Sequence, residues 1–194
     1  MLRRLFGFVL VLIGQSLSLC PGRAAECTVS LAIDQPAQPI ELPEGRWLDG
    51  QLFHIRLTNM GDAPVQLVAP GDGSESGLRT PIIAWSVSNA AGPVSQKLQR
   101  DDNMINHLEP KEVFDLAPGA GYALDGSVLP LVLPGPGKYR VNFLYRNEPH
   151  RVWTGRVMGR HDAAAMQRVQ DSTPCELTSN TVEVEIVAPR LEHR

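Results

Sequence analysis

Residues 69–81 read APGDGSESGLRTP, and the first nine of them hold three glycines, two carboxylates and two serines. Material of this kind serves a nucleophilic serine, a phosphate cradle or a cation site. A serine nucleophile on a strand-to-helix elbow needs glycines two residues before and two residues after it. In GSESG the central position is Glu75, so neither Ser74 nor Ser76 is correctly spaced. A dinucleotide loop would follow Gly71 and Gly73 with a third glycine at position 76 and then a helix pointing its amino end at the phosphates. Position 76 is Ser76, and Pro81 leads into an extended stretch. Asp72 and Glu75 are hard donors suited to calcium, yet two carboxylates fall short of the roughly six to eight oxygens that ion prefers. Asp101 and Asp102, followed by Asn103, form a second acidic cluster that would add ligands only if the two loops meet. What remains is a solvated turn that can also serve as a contact loop.

A second group of residues carries charge rather than catalytic spacing. Residues 146–168 contain Arg146, Arg151, Arg156, Arg160 and Arg168 against Glu148 and Asp162, with Trp153 among the arginines. Guanidinium forks recognise carboxylate and phosphate, and an indole adds a flat apolar face. Arg151, Trp153, Arg156 and Arg160 are therefore the candidate binding residues, for a partner protein or an anionic glycan. The competing reading folds this segment back over the body of the protein, buries Trp153 in a satellite core and leaves the arginines hydrated. The two readings predict opposite exposures for Trp153. The histidines (His54, His107, His150, His161, His193) stand at no spacing that makes a zinc site, and no local motif assembles a nucleophile, base and orienter. No cofactor is implied.

The elements that must position these residues show period-two alternation. Phe53, Ile55 and Leu57 share a face opposite His54 and Arg56; Ile83, Trp85 and Val87 alternate; so do Tyr139, Val141, Phe143 and Tyr145, and Val182, Val184 and Ile186. Each run buries one face and wets the other, the pattern of antiparallel sheets sharing a core. Weaker strands are predicted at 27–34, 63–68, 94–98, 112–116 and 121–132. Glycine- and proline-rich turns separate them (NMGDAP, NAAGP, APGAG, LPGPG), which gives an all-β sandwich of about eight or nine strands. The one helix signal is DAAAMQRVQ at 162–170, where Asp162 can cap the first turn. It lies in a long excursion, 147–177, between the two strongest strands.

The amino terminus, MLRRLFGFVLVLIG followed by QSLSLCPGRA, has a charged start, an apolar run of about ten residues and a polar exit with small residues, so residues 1–24 read as a signal peptide. Gln15 and Ser16 interrupt the run well short of the roughly 20 apolar residues a span requires. The alternative is acylation at Cys20, against which Leu19 and Pro21 both stand. Cleavage after Ala24 removes Arg3, Arg4 and Arg23 from the 18 basic residues and none of the 21 acidic ones, leaving a net charge of −6. A chain of that sign does not suit nucleic acid, whose recognition needs a basic face. The expected organisation is a single domain over 25–189 with a flexible tail at 190–194, in the periplasm or outside the cell. Two cysteines then remain, Cys27 and Cys175, and in an exporting compartment these favour a disulfide over half a zinc shell.

The stretch LPGPGKYRVNFLY resembles the late strand of immunoglobulin-like and fibronectin-like domains, where a glycine precedes a tyrosine whose hydroxyl bonds back to the preceding loop. The resemblance implies that Tyr139 is that corner tyrosine and Trp85 the core tryptophan. More loosely, LTNMGDAPVQL, the tryptophan strand, FDLAPG and PGKYRV together resemble bacterial sandwich domains such as those of the intracellular proteinase inhibitor family. In such sandwiches the first and last strands run side by side in parallel, which implies that Cys27 and Cys175 come within bonding range. Closing so long a loop would stabilise the fold by about 4 to 5 kcal/mol, less any native strain. The functional expectation is a non-catalytic binding module. A proteinase inhibitor presenting a rigid loop is the alternative, and a hydrolase with carboxylates converging in a pocket is a third reading.

Overall fold

The computed structural model describes residues 27–42, 47–96, 103–124 and 130–189. The expected signal peptide at 1–24, with Cys20, the acids Asp101 and Asp102, and residues 190–194 lie outside the described residues. In chain order the strands are β1 (Val29–Ile33), β2 (Ile40–Glu41), β3 (Trp47–Leu48), β4 (Ile55–Asn59), β5 (Val65–Val68), β6 (Ile82–Asn89) and β7 (Gly92–Val94). There follow β8 (Met104–Asn106), β9 (Val113–Leu116), β10 (Gly121–Ala123), β11 (Leu131–Val132), β12 (Gly137–Asn147), β13 (Arg156–Met158), helix α1 (Ala163–Gln170), β14 (Cys175–Thr178) and β15 (Val182–Val187).

Two layers face each other, as the alternation requires. One is the antiparallel sheet β1-β4-β10. The other is six-stranded, in the order β2-β15-β12-β6-β7, with β14 also paired to β12. Strand β12 organises the second layer because its eleven residues are long enough to pair with β6 along one side and with β15 and β14, end to end, along the other. Between β14 and β15 the ladder breaks at Ser179, whose N–H still donates to the Phe143 carbonyl while its Oγ accepts the Phe143 N–H at 2.9 Å. Inward residues of both layers fill the space between them. Trp85 packs at 5.2 Å from Phe53 and 4.8 Å from Phe143, ring centroid to ring centroid, and all three are buried. On the wet face of β12, Lys138 stands opposite Glu185 and Arg140 opposite Glu183, the opposite-charge registers that favour one strand alignment over a slip.

The corner tyrosine is as the resemblance implies: Tyr139 Oη donates to the Gly135 carbonyl at 2.6 Å. So is the disulfide, with Cys27 and Cys175 Cα atoms 5.3 Å apart. Its setting differs from the expectation. Cys175 opens β14, a separate strand before the last one, and the ladder of β1 runs to β4, antiparallel. At the far end of β1 the Asn180 side chain accepts the Ile33 N–H and donates to the Ile33 carbonyl, both at 2.9 Å. Cys27 with Cys175 and Ile33 with Asn180 thus set β1 alongside 175–180 in the same direction, through side chains. The parallel ladder on β15 is made instead by β2, a two-residue strand too short to show a period. Phe53 closes a short 3-10 turn instead of starting a strand, yet its ring keeps the inward phase of Ile55 and Leu57.

The ribbon β5–β9 leads from this main core to a second, smaller one. Val65 and Leu67 point into the main cluster, while Val68 and Val113 join Leu108, Ala165 and Val169 at the end of the sandwich. Helix α1 starts where the sequence places it: Asp162 caps it by accepting the Ala165 N–H at 2.8 Å, and Ala165 and Val169, one turn apart, face the cluster.

Candidate functional site

The loop at 69–81 is a tightly bonded knot. Ser74, fully buried, accepts the Gly71 N–H on its Oγ at 3.0 Å while its own N–H donates to the Gly71 carbonyl. Glu75 accepts the Gly73 N–H at 3.1 Å and Asp72 accepts the Asn106 N–H at 3.1 Å, so both acids named for calcium serve the turn and its contact with β8. Gly73 has a φ of +93°, and a Cβ there would lie 2.5 Å from Ile105. That position needs glycine on both counts. Among the described residues no group of three His, Cys, Asp or Glu is placed to hold a metal ion.

The knot closes around a residue that sequence reasoning missed. Arg79 is 1% exposed. Its Nη1 bonds Glu112 Oε1 at 2.9 Å, its Nη2 donates to the Ala69 carbonyl at 3.3 Å and its Nε to the Thr80 carbonyl at 3.2 Å. A guanidinium taken out of water needs this degree of satisfaction, because an unpaired buried charge is strongly destabilising. Glu112 holds its place by accepting the Glu109 N–H on its other oxygen. Gly71 passes so close that a Cβ would lie 2.8 Å from Arg79 Nη1. Above the guanidinium lies the Trp153 ring, with the Arg79 Cζ 4.7 Å from its centroid. His161 meets Trp153 edge-on at 4.8 Å and accepts the Leu108 N–H on Nδ1 at 2.8 Å. The only local sign of Arg79 in the sequence is a lone cation between an acidic turn and Thr-Pro; its counter-charge lies 33 residues away.

Of the four candidate binding residues, Trp153 is partly buried and packs against the second cluster, while Arg156 and Arg160 are exposed. Arg151 is exposed as well but tied down, its Nη1 on Glu148 Oε2 at 2.9 Å and its Nη2 on the Gly77 carbonyl at 2.8 Å. The excursion is thus fastened to the 69–81 knot, an association the sequence did not reveal. Thr154 N–H donates to the Leu78 carbonyl, and β13 pairs in parallel with β8, Arg156 opposite Met104. Arg168 reaches back to Asp115 at 3.3 Å.

Arg151, Val152, Trp153, Val157, His161 and Met166 line a cleft of about 450 Å³. Val152 at its rim is 78% exposed, and Met158 and Met104 on the adjoining ribbon are also exposed. The lining carries His150, Arg151 and His161 as its ionisable groups and no carboxylate. A second cleft, of about 490 Å³, lies over the outer face of β12 and β15, where Lys138, Arg140, Glu183 and Glu185 face one another in register. Burial pushes the Tyr145 phenol far up; its hydroxyl donates to the Val68 carbonyl at 2.7 Å, a structural bond from β12 to the β5–β9 ribbon.

The architecture is that of an all-β, immunoglobulin-like sandwich with one short α-helix among the described residues. No protein-family model matches the chain, and no curated protein does. A solved structure of native alpha-2-macroglobulin from Escherichia coli, spanning the residues from domain MG7 to the C-terminus, is similar at 12% identity and a TM-score of 0.37. The match covers 86% of this chain and 17% of that one. The Cys27–Cys175 bond fits a compartment that sustains disulfides, outside the cytoplasm. No helix among the described residues is long and apolar enough to cross a membrane.

Proposed function

We propose that this chain is an exported, non-catalytic interaction module that holds an acidic segment of a partner protein on the outer side of its excursion. Arg151, Arg156 and Arg160 supply the charge, and Trp153 walls the cleft that takes an apolar side chain. The observation that carries this reading is the cleft's chemistry: an apolar floor of useful size with cationic and imidazole groups in the lining and no acid. Pinning Trp153 from behind by Arg79 favours the same reading, because a ring already ordered costs little entropy when a ligand meets it. The signal peptide at 1–24 and the domain bounds at 25–189 belong to this proposal.

The test uses synthetic peptides carrying one leucine or phenylalanine flanked by glutamates, titrated into the purified chain by calorimetry. Arg151→Glu combined with Arg156→Glu is expected to weaken binding by at least tenfold, about 1.4 kcal/mol. Replacing the central apolar residue by serine is expected to do the same. Equal affinity of the double variant for the peptides would end the proposal, as would tighter binding of a sulfated glycan than of every peptide.

A further inference from the structure

His161 stands where three parts of the molecule meet. Its Nδ1 takes the Leu108 N–H at 2.8 Å, its ring stands perpendicular to that of Trp153, and Trp153 covers the Arg79 guanidinium. Leu108 is fully buried in the second cluster, so its N–H depends on that acceptor. The bond also fixes the tautomer: Nδ1 presents its lone pair, and the neutral ring carries its proton on Nε2. A second proton has only Nδ1 to occupy. There it would face the Leu108 N–H, turning an acceptor into a donor set against a donor, and it would add a cation next to the buried Arg79.

We propose that His161 is a proton-operated latch: neutral, it fastens the excursion to the turn at Leu108, and on acidification it releases residues 150–162 and the Trp153 wall of the cleft. The latch reaches the surface described above but does not depend on what binds there. Three charged or titratable groups face the imidazole from the elements packed around it, namely Arg79 before β6, His107 after β8 and Glu112 before β9; Arg160 and Asp162 flank it in its own segment. Burial, then Arg79, then His107 hold its proton affinity below the ordinary value of 6.5, against a smaller opposing pull from Glu112. The folded chain therefore binds this proton more weakly than the unfolded chain does. The latch's contribution to stability is complete above pH 6.5 and is lost as the pH falls from there through the lowered folded value.

Hydrogen exchange on the full chain with its disulfide intact, corrected for the chemical exchange rate, tests this between about pH 7.5 and about pH 5. Protection of the Leu108 amide and of residues 150–162 is expected to fall about tenfold on acidification, with β6 and β12 unchanged. In His161→Gln, whose side-chain oxygen can accept the same N–H without titrating, the fall is expected to vanish. Constant protection in the wild type, or an equal fall in the variant, overturns the latch. Should the variant fail to fold, a nitrogen-detected NMR titration of the wild-type ring decides. The latch requires a ring protonated on Nε2 at neutral pH that titrates below 6.5, and either departure refutes it.

Discussion

Between the layers, Phe53, Trp85 and Phe143 pack ring on ring within a cluster that holds no buried charge, whereas at the end of the sandwich Val68, Leu108, Val113, Ala165 and Val169 pack beside a guanidinium. The first core is held by surface removed from water and by shape. It depends on no single partner, and swaps that conserve volume should be absorbed. The second exists because Arg79 is satisfied on every side, by Glu112, two carbonyls and the Trp153 face. A core of that kind is conditional: the loss of one partner strands the rest. The conditional core is also the one to which the excursion and its exposed arginines are attached.

Truncation should separate the two cores most clearly. Trp85→Ala removes the ring that touches both other aromatics and is expected to cost about 4 kcal/mol, read as a lower urea midpoint at unchanged slope. A loss under about 1.5 kcal/mol would mean that the layers collapse onto the void and that the main core is looser than its contacts imply.

Next in size is the ion pair. Glu112→Gln keeps an acceptor for the Glu109 N–H but leaves Arg79 charged and unpaired, at an expected cost of about 3 kcal/mol. Adding Arg79→Met removes the stranded charge, and the double variant is expected to recover to within about 1 kcal/mol of the wild type. If the losses simply add, the pair is not coupled and the contrast between the cores fails.

The difference between the cores also explains what was legible in the sequence. Alternation encodes which side of a strand is dry, so the runs at 53–57, 83–87, 139–145 and 182–186 announced the main core, and Trp85, Tyr139 and the Cys27–Cys175 bond followed from the resemblance they carry. Asp162 and its helix were legible because a cap acts within one turn. Short pairings such as β2 on β15 and β8 with β13 were not, since two or three residues carry no period and their partners are distant in sequence. Strands predicted at 94–98 and 121–132 end differently: Gly92–Val94 pairs with β6, and the second splits into β10 and β11, with 97–98 and 125–129 outside the described residues. The 69–81 knot looked like a hydrated turn because its purpose is tertiary. Nothing near Arg79 in sequence says that Glu112 and Trp153 will enclose it. The exposure of Trp153 was open for the same reason: the ring is partly buried, packed against the second cluster on one side and lining the cleft on another, with Arg156 and Arg160 exposed.

The smallest expected effect is the most local, and it tests whether the second core is a unit of its own. Asp162→Ala deletes the carboxylate that accepts the Ala165 N–H and should cost about 1 kcal/mol, while Asp162→Asn, an equally good cap, should cost almost nothing. Because Ala165 and Val169 are the helix's contributions to the end cluster, the alanine variant should lower amide protection across 163–170 and at Leu108 before it lowers that of β6 or β12. Equal loss in the strands would mean that the two clusters unfold together, and that a chain built with one apolar and one charged core nonetheless behaves as a single cooperative block.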